Sequence, residues 1–266
     1  LAVVGYDIFL GGKGANQSVA LAKAGADVFH IGAFGKRDEH YLKEMREAGV
    51  NLNNVSLLRS ESGHAVVMVD NETGENQIVL SGSANNKISE KQIESALLNA
   101  KTTDWALAQN ETSLVHEFLV SAKEKGLKIC YSAAPFVAKQ TASLLPFTNL
   151  LVVNEGEANA LLKFLNKDVS ELGLPHLVIT LGSKGARYIG EEGDFFVAPF
   201  EVRPVDTTGA GDTFLGYLLA SLSKGMSMKE AMSYGSAAAS LQITRQGALA
   251  AIPSLQEVET FIGENS

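Results

Sequence analysis

At 266 residues and 28.2 kDa the chain can bury a large core in one domain, with room for a small appended lid. Its formal net charge of −8 argues against nucleic acid as a partner, and no apolar run reaches the ~18 residues that span a bilayer. Hydrophobic residues make up 45% and mean hydropathy is +0.07, which excludes a disordered chain, and a single cysteine, Cys130, excludes an internal disulfide and fits a reducing cytoplasm.

In chain order, Tyr6–Leu10 reads as extended, and the glycine-rich run Gly11-Gly12-Lys13-Gly14-Ala15-Asn16 follows it. Val28–Ala33 predicts a strand and the stretch near Glu39–Ala48 a helix. Ala65–Asp70 and Gln77–Leu80 flank the polar turn Asn71–Asn76 and predict a hairpin. Beyond it, apolar strands are expected at Trp105–Gln109, Lys128–Ser132, Leu150–Val153 and Leu177–Leu181. Amphipathic helices are expected at Ser89–Ala100, Ser113–Lys125 and Glu155–Leu165. Ser89-x-x-Gln92 and Ser254-x-x-Glu257 have the pattern of capping boxes, and Ala231–Thr244 reads as a long helix of small residues. Alternating strands and helices predict an α/β fold with a mostly parallel sheet. No internal repeat or linker divides residues 1–266, so a single domain is expected. Cys130 lies in an apolar run, which predicts a buried structural thiol.

The most informative stretch is Asp206-Thr207-Thr208-Gly209-Ala210-Gly211-Asp212. Apolar residues then recur with helical spacing at Phe214, Leu215, Leu218, Leu219 and Leu222, so the stretch opens a helix. Glycines let backbone approach a ligand, and free N–H groups at a helix start favour a phosphate. Alone, Asp212 would read as a plain N-cap. The second glycine-rich element at 11–16 changes that reading.

Together the two elements resemble the ribokinase-like (PfkB) family of carbohydrate kinases. GGKGANQS, continuing to Gly25 and Gly35, is similar to that family's first signature, and DTTGAGD to its second. The resemblance runs on through NEGEA at 154–158, TLGSKG at 180–185 and ITRQGA at 243–248. Within the family, the lysine of GGKGANQ is most similar to the ribokinases. The resemblance implies a three-layer α/β/α sandwich with a mostly parallel central sheet and a small β lid, its strands near 1–12 and 65–82. It implies an ATP-dependent sugar kinase acting on D-ribose to give ribose 5-phosphate. Deoxyribose, fructose, adenosine or a ketodeoxy acid are the alternative substrates, and a ligand-binding pseudokinase sensor the alternative class.

The resemblance also implies roles. Asp212 is the general base, beside an anion hole of the Gly209, Ala210 and Gly211 amides. Gly12, Lys13, Gly14, Asn16 and Glu111 contact the sugar. Asn154, Thr180, Gly182, Ser183, Gly185, Gly211 and Ser236 bind the nucleotide, with Lys184 facing either the nucleotide or solvent. Glu157 organises Mg²⁺, while Asp206, Thr208, Gln242, Arg245 and Gly247 fall at the positions of a K⁺ site, with Ala251 where a serine oxygen is usual. The expected partners are a sugar and ATP, with pairing into a homodimer through the lid. Two departures stand out. The family's leading strand, with its Asn-x-Asp element, has no counterpart: either a segment precedes Leu1 or the kinase is truncated. Gly35-Lys-Arg-Asp38 replaces a Gly-Asp-Asp run. The five histidines show no metal-ligand spacing, and no Walker A sequence is present.

Overall fold

A computed structural model describes residues 5–69 and 76–265. Four parallel strands, β5 (Trp105–Ala108), β6 (Lys128–Ser132), β7 (Leu150–Asn154) and β8 (His176–Thr180), pair in that order. Two antiparallel strands, β9 (Ala186–Gly190) and β10 (Gly193–Val197), extend the sheet to six. The sequence reading did not anticipate this last hairpin, although Gly190 and Gly193 bracket a short polar turn between strand-favouring residues.

Strand alternation produces the layers. Ile129, Tyr131, Leu151, Val153, Leu177 and Ile179 join one buried cluster, with Leu119 of α4 (Val115–Glu124) and Leu161 of α6 (Glu155–Leu165). Their neighbours Cys130, Leu150, Val152 and Val178 face the other way, onto Phe214 and Leu218 of α7 (Ala210–Ser223) and Met232 of α8 (Met228–Gln242). A period of two thus gives both sheet faces an apolar covering, as a parallel sheet between helix layers requires. The three-layer sandwich is as expected. Cys130 is buried, and burial pushes its thiol well above the ordinary range.

The remaining strands form two small units. β1 (Phe29–Gly35) and β2 (Asn51–Leu58) pair in parallel, and β3 (His64–Val69) pairs with β4 (Asn76–Ser81) as the expected antiparallel hairpin. The expected turn at Asn71–Asn76 lies largely outside the described residues. Ile31 and Ala33 of β1 join the cluster under β5 and β6, so β1 continues the sheet layer. Among the described residues no ladder joins β1 to β5. Both line a cleft of about 3430 Å³ that runs from the 11–16 loop into the gap between them.

The lid strand expected at Tyr6–Leu10 is not formed. Residues 5–12 pair with no strand among the described residues, and without a ladder a short apolar run has no reason to stay extended. Leu10 is buried while Ile8 and Phe9 are exposed. The helix expected near 39–48 begins as a 3-10 turn, Lys36–Tyr41, and becomes α2 only at Leu42–Glu47. The capping boxes at Ser89 on α3 (Glu90–Leu97) and Ser254 on α9 (Leu255–Glu264) both close.

α1 (Lys13–Lys23) lies against α7, and Gly216 sets how closely. A Cβ there would overlap the Ala20 Cβ and sit 3.0 Å from the Leu21 nitrogen. One turn before Gly216 is Asp212; one turn before Ala20 is Asn16. The close crossing therefore brings the two glycine-rich elements together.

Candidate active site

Gly209 caps α7 in the left-handed conformation (φ 77°), where its missing side chain is needed. Ala210 N–H turns back to the Thr207 carbonyl at 3.3 Å, which removes it from the expected set of free donors. The amides of Gly209, Gly211 and Asp212 have no partner among the described residues. Of the three amides expected to form an anion hole, those of Gly209 and Gly211 are free among the described residues and that of Ala210 is not. The positive end of a 14-residue helix faces the same place.

Asp212 is only 8% exposed, and its carboxylate is held by α1. Asn16 Nδ2 donates to Oδ2 at 2.9 Å, and Gln17 Nε2 donates to Oδ1 at 2.8 Å. Asn16 was anticipated as a sugar contact, not as a partner of Asp212; its own buried Oδ1 lacks a partner among the described residues. Gln17 was not anticipated at all, although a buried amide beside Asn16 in the motif was available as a signal.

Glu111, just past the end of β5, accepts the Lys13 amide at 2.8 Å across 98 residues of sequence. Burial raises its carboxyl above the ordinary range, with the Lys13 bond acting against that rise. Gly12 precedes α1 and accepts the Asn16 amide at 3.0 Å, and Gly14 lies beside Gln109. Gly12, Lys13, Gly14, Asn16, Glu111 and Asp212 therefore converge, and Gly12, Gly14, Asn16 and Glu111 of this group line the cleft. His30 hydrogen-bonds Ser18 at 2.8 Å, and burial pushes it down to about 4, so it is neutral at pH 7.

The expected nucleotide residues lie along the strand ends. Asn154 ends β7, Thr180 ends β8, and Gly182 and Ser183 are exposed in the turn that Gly185 closes before β9. Asn154 and Glu157 close a capping box on α6: Asn154 Oδ1 accepts the Glu157 amide, and Glu157 Oε2 accepts the Asn154 amide, each at 2.8 Å. Both side chains are thus employed as a helix cap, which the sequence reading did not anticipate. Ser236 is buried and donates to the Ala198 carbonyl at 3.1 Å, tying α8 to the strand segment ahead of it.

Residues 205–208 and 242–247 meet beside the anion loop. Val205 and Asp206 amides both donate to the Ile243 carbonyl. Asp206 accepts the Thr208 and Gly247 amides, each at 2.9 Å. Burial opposes its charge, but those bonds prevail and hold its carboxyl below the usual range. Gln242 Nε2 donates to the Thr208 carbonyl at 2.8 Å, leaving its own buried Oε1 unpartnered among the described residues. Arg245 points away, to Glu257 at 2.7 Å. No cluster of three or more His, Cys, Asp or Glu among the described residues forms a metal cage.

Residues 5–255 match the pfkB family of carbohydrate kinases. The chain belongs to that family. It is 33% identical over 275 residues to a ribokinase of Haemophilus influenzae, covering 97% of this chain and 88% of that protein. It is equally similar, at 33% over 275 residues, to a bifunctional ribokinase/ribose-5-phosphate isomerase A of Fructilactobacillus sanfranciscensis, covering 96% of this chain and half of that protein. The structure of an Arabidopsis thaliana ribokinase complexed with ribose and ATP superposes with a TM-score of 0.85, at 26% identity, over 98% of this chain and 90% of that one. A sugar-kinase fold and its glycine-rich loops are therefore family properties of this chain.

Proposed function

We propose that this chain transfers the γ-phosphate of ATP to the 5-hydroxyl of D-ribose, with Asp212 as general base. The observation that carries the reading is the buried Asp212 carboxylate, placed between free amides of the α7 N-terminus and the Asn16 loop. Phosphoryl transfer asks mainly for positioning and charge stabilisation. Asp212 accepts the hydroxyl proton as that oxygen attacks, and the Gly209 and Gly211 amides meet the charge on the phosphoryl oxygens. Gly12, Lys13, Asn16 and Glu111 hold the sugar hydroxyls. Asn154, Thr180, Gly182, Ser183 and Gly185 hold the nucleotide at and after the ends of β7 and β8, with Ser236 contributing from α8.

The chain is acidic overall, so phosphate charge has to be met locally. Mg²⁺ on the phosphates supplies part of that, held by ATP and, through water, by Glu157, whose Oε1 is left free by the cap. Carbonyls of Asp206, Thr208, Gln242, Arg245 and Gly247 suit K⁺, with Ala251 offering no side-chain oxygen. The exposed apolar faces of the hairpin, Val67, Met68, Val79 and Leu80, suit pairing of two copies through the lid. A reduced Cys130, and the absence of any described helix long and apolar enough to cross a membrane, suit the cytoplasm.

The test is ADP release with Mg-ATP and K⁺, comparing D-ribose with deoxyribose, fructose and adenosine. Ribose-dependent turnover supports the reading, while turnover with another acceptor only overturns the substrate. Equal rates in K⁺ and in a large inert cation remove the cation site, and a single-copy mass in sedimentation removes the dimer.

A further inference from the structure

We propose that Gln17, oriented by Gln109, is a positioning residue that fixes the plane of the Asp212 carboxylate for proton transfer. This rests on Asp212 being the base. Gln17 is 1% exposed, and its amide spans two partners. Nε2 donates to Asp212 Oδ1 at 2.8 Å, and Oε1 accepts from Gln109 Nε2 at 2.5 Å. The partners are far apart in the chain: Gln109 directly follows β5, two residues before Glu111, and Asp212 lies in the first turn of α7.

An aspartate carboxylate rotates easily about its last torsion, which is broad and two-fold. Here each oxygen is tied to a different residue of α1, Oδ2 to Asn16 and Oδ1 to Gln17. Two tethers fix the plane where one leaves a hinge. Each oxygen still keeps a lone pair for a sugar hydroxyl. The Gln17 amide has a donor end and an acceptor end, so the direction in which it lies matters. Reversed, it would set Oε1 against a carboxylate oxygen and its NH₂ against the NH₂ of Gln109. The carboxylate, which only accepts, and the Gln109 donor together decide that Gln17 presents its own donor to Asp212.

The same strand end also holds the start of α1, through Glu111 and the Lys13 amide. Gln109 and Glu111 thus set α1 at two points, and Gln17 relays that placement to the reacting carboxylate. A merely structural Gln17, buried and satisfied, would affect stability when replaced but not the chemical step alone.

The experiment compares the full chain with Gln17→Met, Gln109→Glu and Asp212→Asn, measuring kcat, KM, melting temperature and the pH–rate profile. Misplacement of a reacting group costs on the order of 10²-fold. Gln17→Met keeps the side chain's length without its donor. Its expected result is a kcat lower by about 10- to 100-fold, with KM for sugar and ATP within about threefold. Gln109→Glu places an acceptor against Gln17 Oε1 and turns the amide. Its deficit should shrink as pH falls, because a protonated Glu at that position donates again as the amide did.

A Gln17→Met enzyme with kcat within twofold of the parent overturns the proposal, as does a Gln109→Glu deficit that is the same at every pH. If Gln17→Met does not fold, Gln109→Glu decides alone, since its site at the strand end is only half-buried. Full activity in Asp212→Asn would overturn the base assignment itself, a result distinct from an inactive Asp212→Asn beside an unaffected Gln17→Met.

Discussion

The two sides of the cleft are built differently. On one side, α7 and α8 cover a continuous six-stranded sheet, and α7 is buried through most of its length. On the other, β1–β2 and β3–β4 are two-stranded units, with Phe29, Val67, Val79 and Leu80 exposed. The proposed base, Asp212, belongs to the side with the continuous sheet, and the residues proposed to hold the sugar lie where the two sides meet. α1 connects them: it belongs in sequence to the open side, yet Gly216 lets it lie directly on α7.

The largest expected effect breaks the continuous-sheet side at its reacting atom. Asp212→Asn should lower kcat by about 10²–10⁴ while the protein still folds, read from steady-state rates beside a melting curve. A near-normal kcat would remove Asp212 from the role. Next comes the contact that joins the two sides. Gly216→Val forces a branched side chain between α7 and Ala20, and overpacking of that kind costs about 1–3 kcal/mol. It should also separate Asn16 from Asp212, so kcat falls together with melting temperature. A loss of stability with unchanged kcat would show that the α1–α7 spacing does not set the site.

A smaller effect falls on the sugar side. Burial raises the Glu111 carboxyl, so the folded state takes up its proton more readily than the unfolded state. The stability this contributes is full below the ordinary carboxyl range and is lost as pH rises through the raised value. Glu111→Gln should match the parent's melting temperature near pH 4 and exceed it at pH 8. A hydrogen bond to a charged group contributes about 1.5–3 kcal/mol, so the variant's KM for sugar should rise by about tenfold or more. A melting difference of opposite sign would contradict the burial argument.

The smallest effect lies outside both sides. Glu257 is held down to about 2 by the Ser254 donors and by Arg245. Its stabilisation is present above the ordinary carboxyl range and is lost as pH falls toward 2. Glutamine keeps the capping box, so Glu257→Gln removes only a largely exposed ion pair, about 0–1 kcal/mol. A small drop in melting temperature at pH 7 that disappears near pH 2 is expected, and a large drop would mean that the Arg245 link braces the 243–247 loop.

Much of the continuous-sheet side could be read from residues alone. Lys128–Ser132 and Glu155–Leu165 were predicted with the bounds the structure has, because each is a run of one periodicity bounded by polar or turn residues. The open side was less legible. Tyr6–Leu10 has strand-like residues, but a strand needs a ladder partner, and no local pattern reports whether one is present. The site divides in the same way. Asp212, Asn16 and Glu111 stood out through their glycine-rich surroundings or their place at a strand end. The Gln17–Gln109 bond spans 92 residues between side chains of no special composition, so only the fold shows it. The capping box of Asn154 and Glu157 was not anticipated, although its N-x-x-E spacing is as local as the two boxes that were.

The most direct test of the account is single-turnover transfer of labelled γ-phosphate from ATP to D-ribose, with ribose binding measured in parallel, for the parent and Asp212→Asn. The account predicts that both proteins bind ribose and that only the parent transfers phosphate at an appreciable rate. Comparable transfer by the two proteins would contradict it.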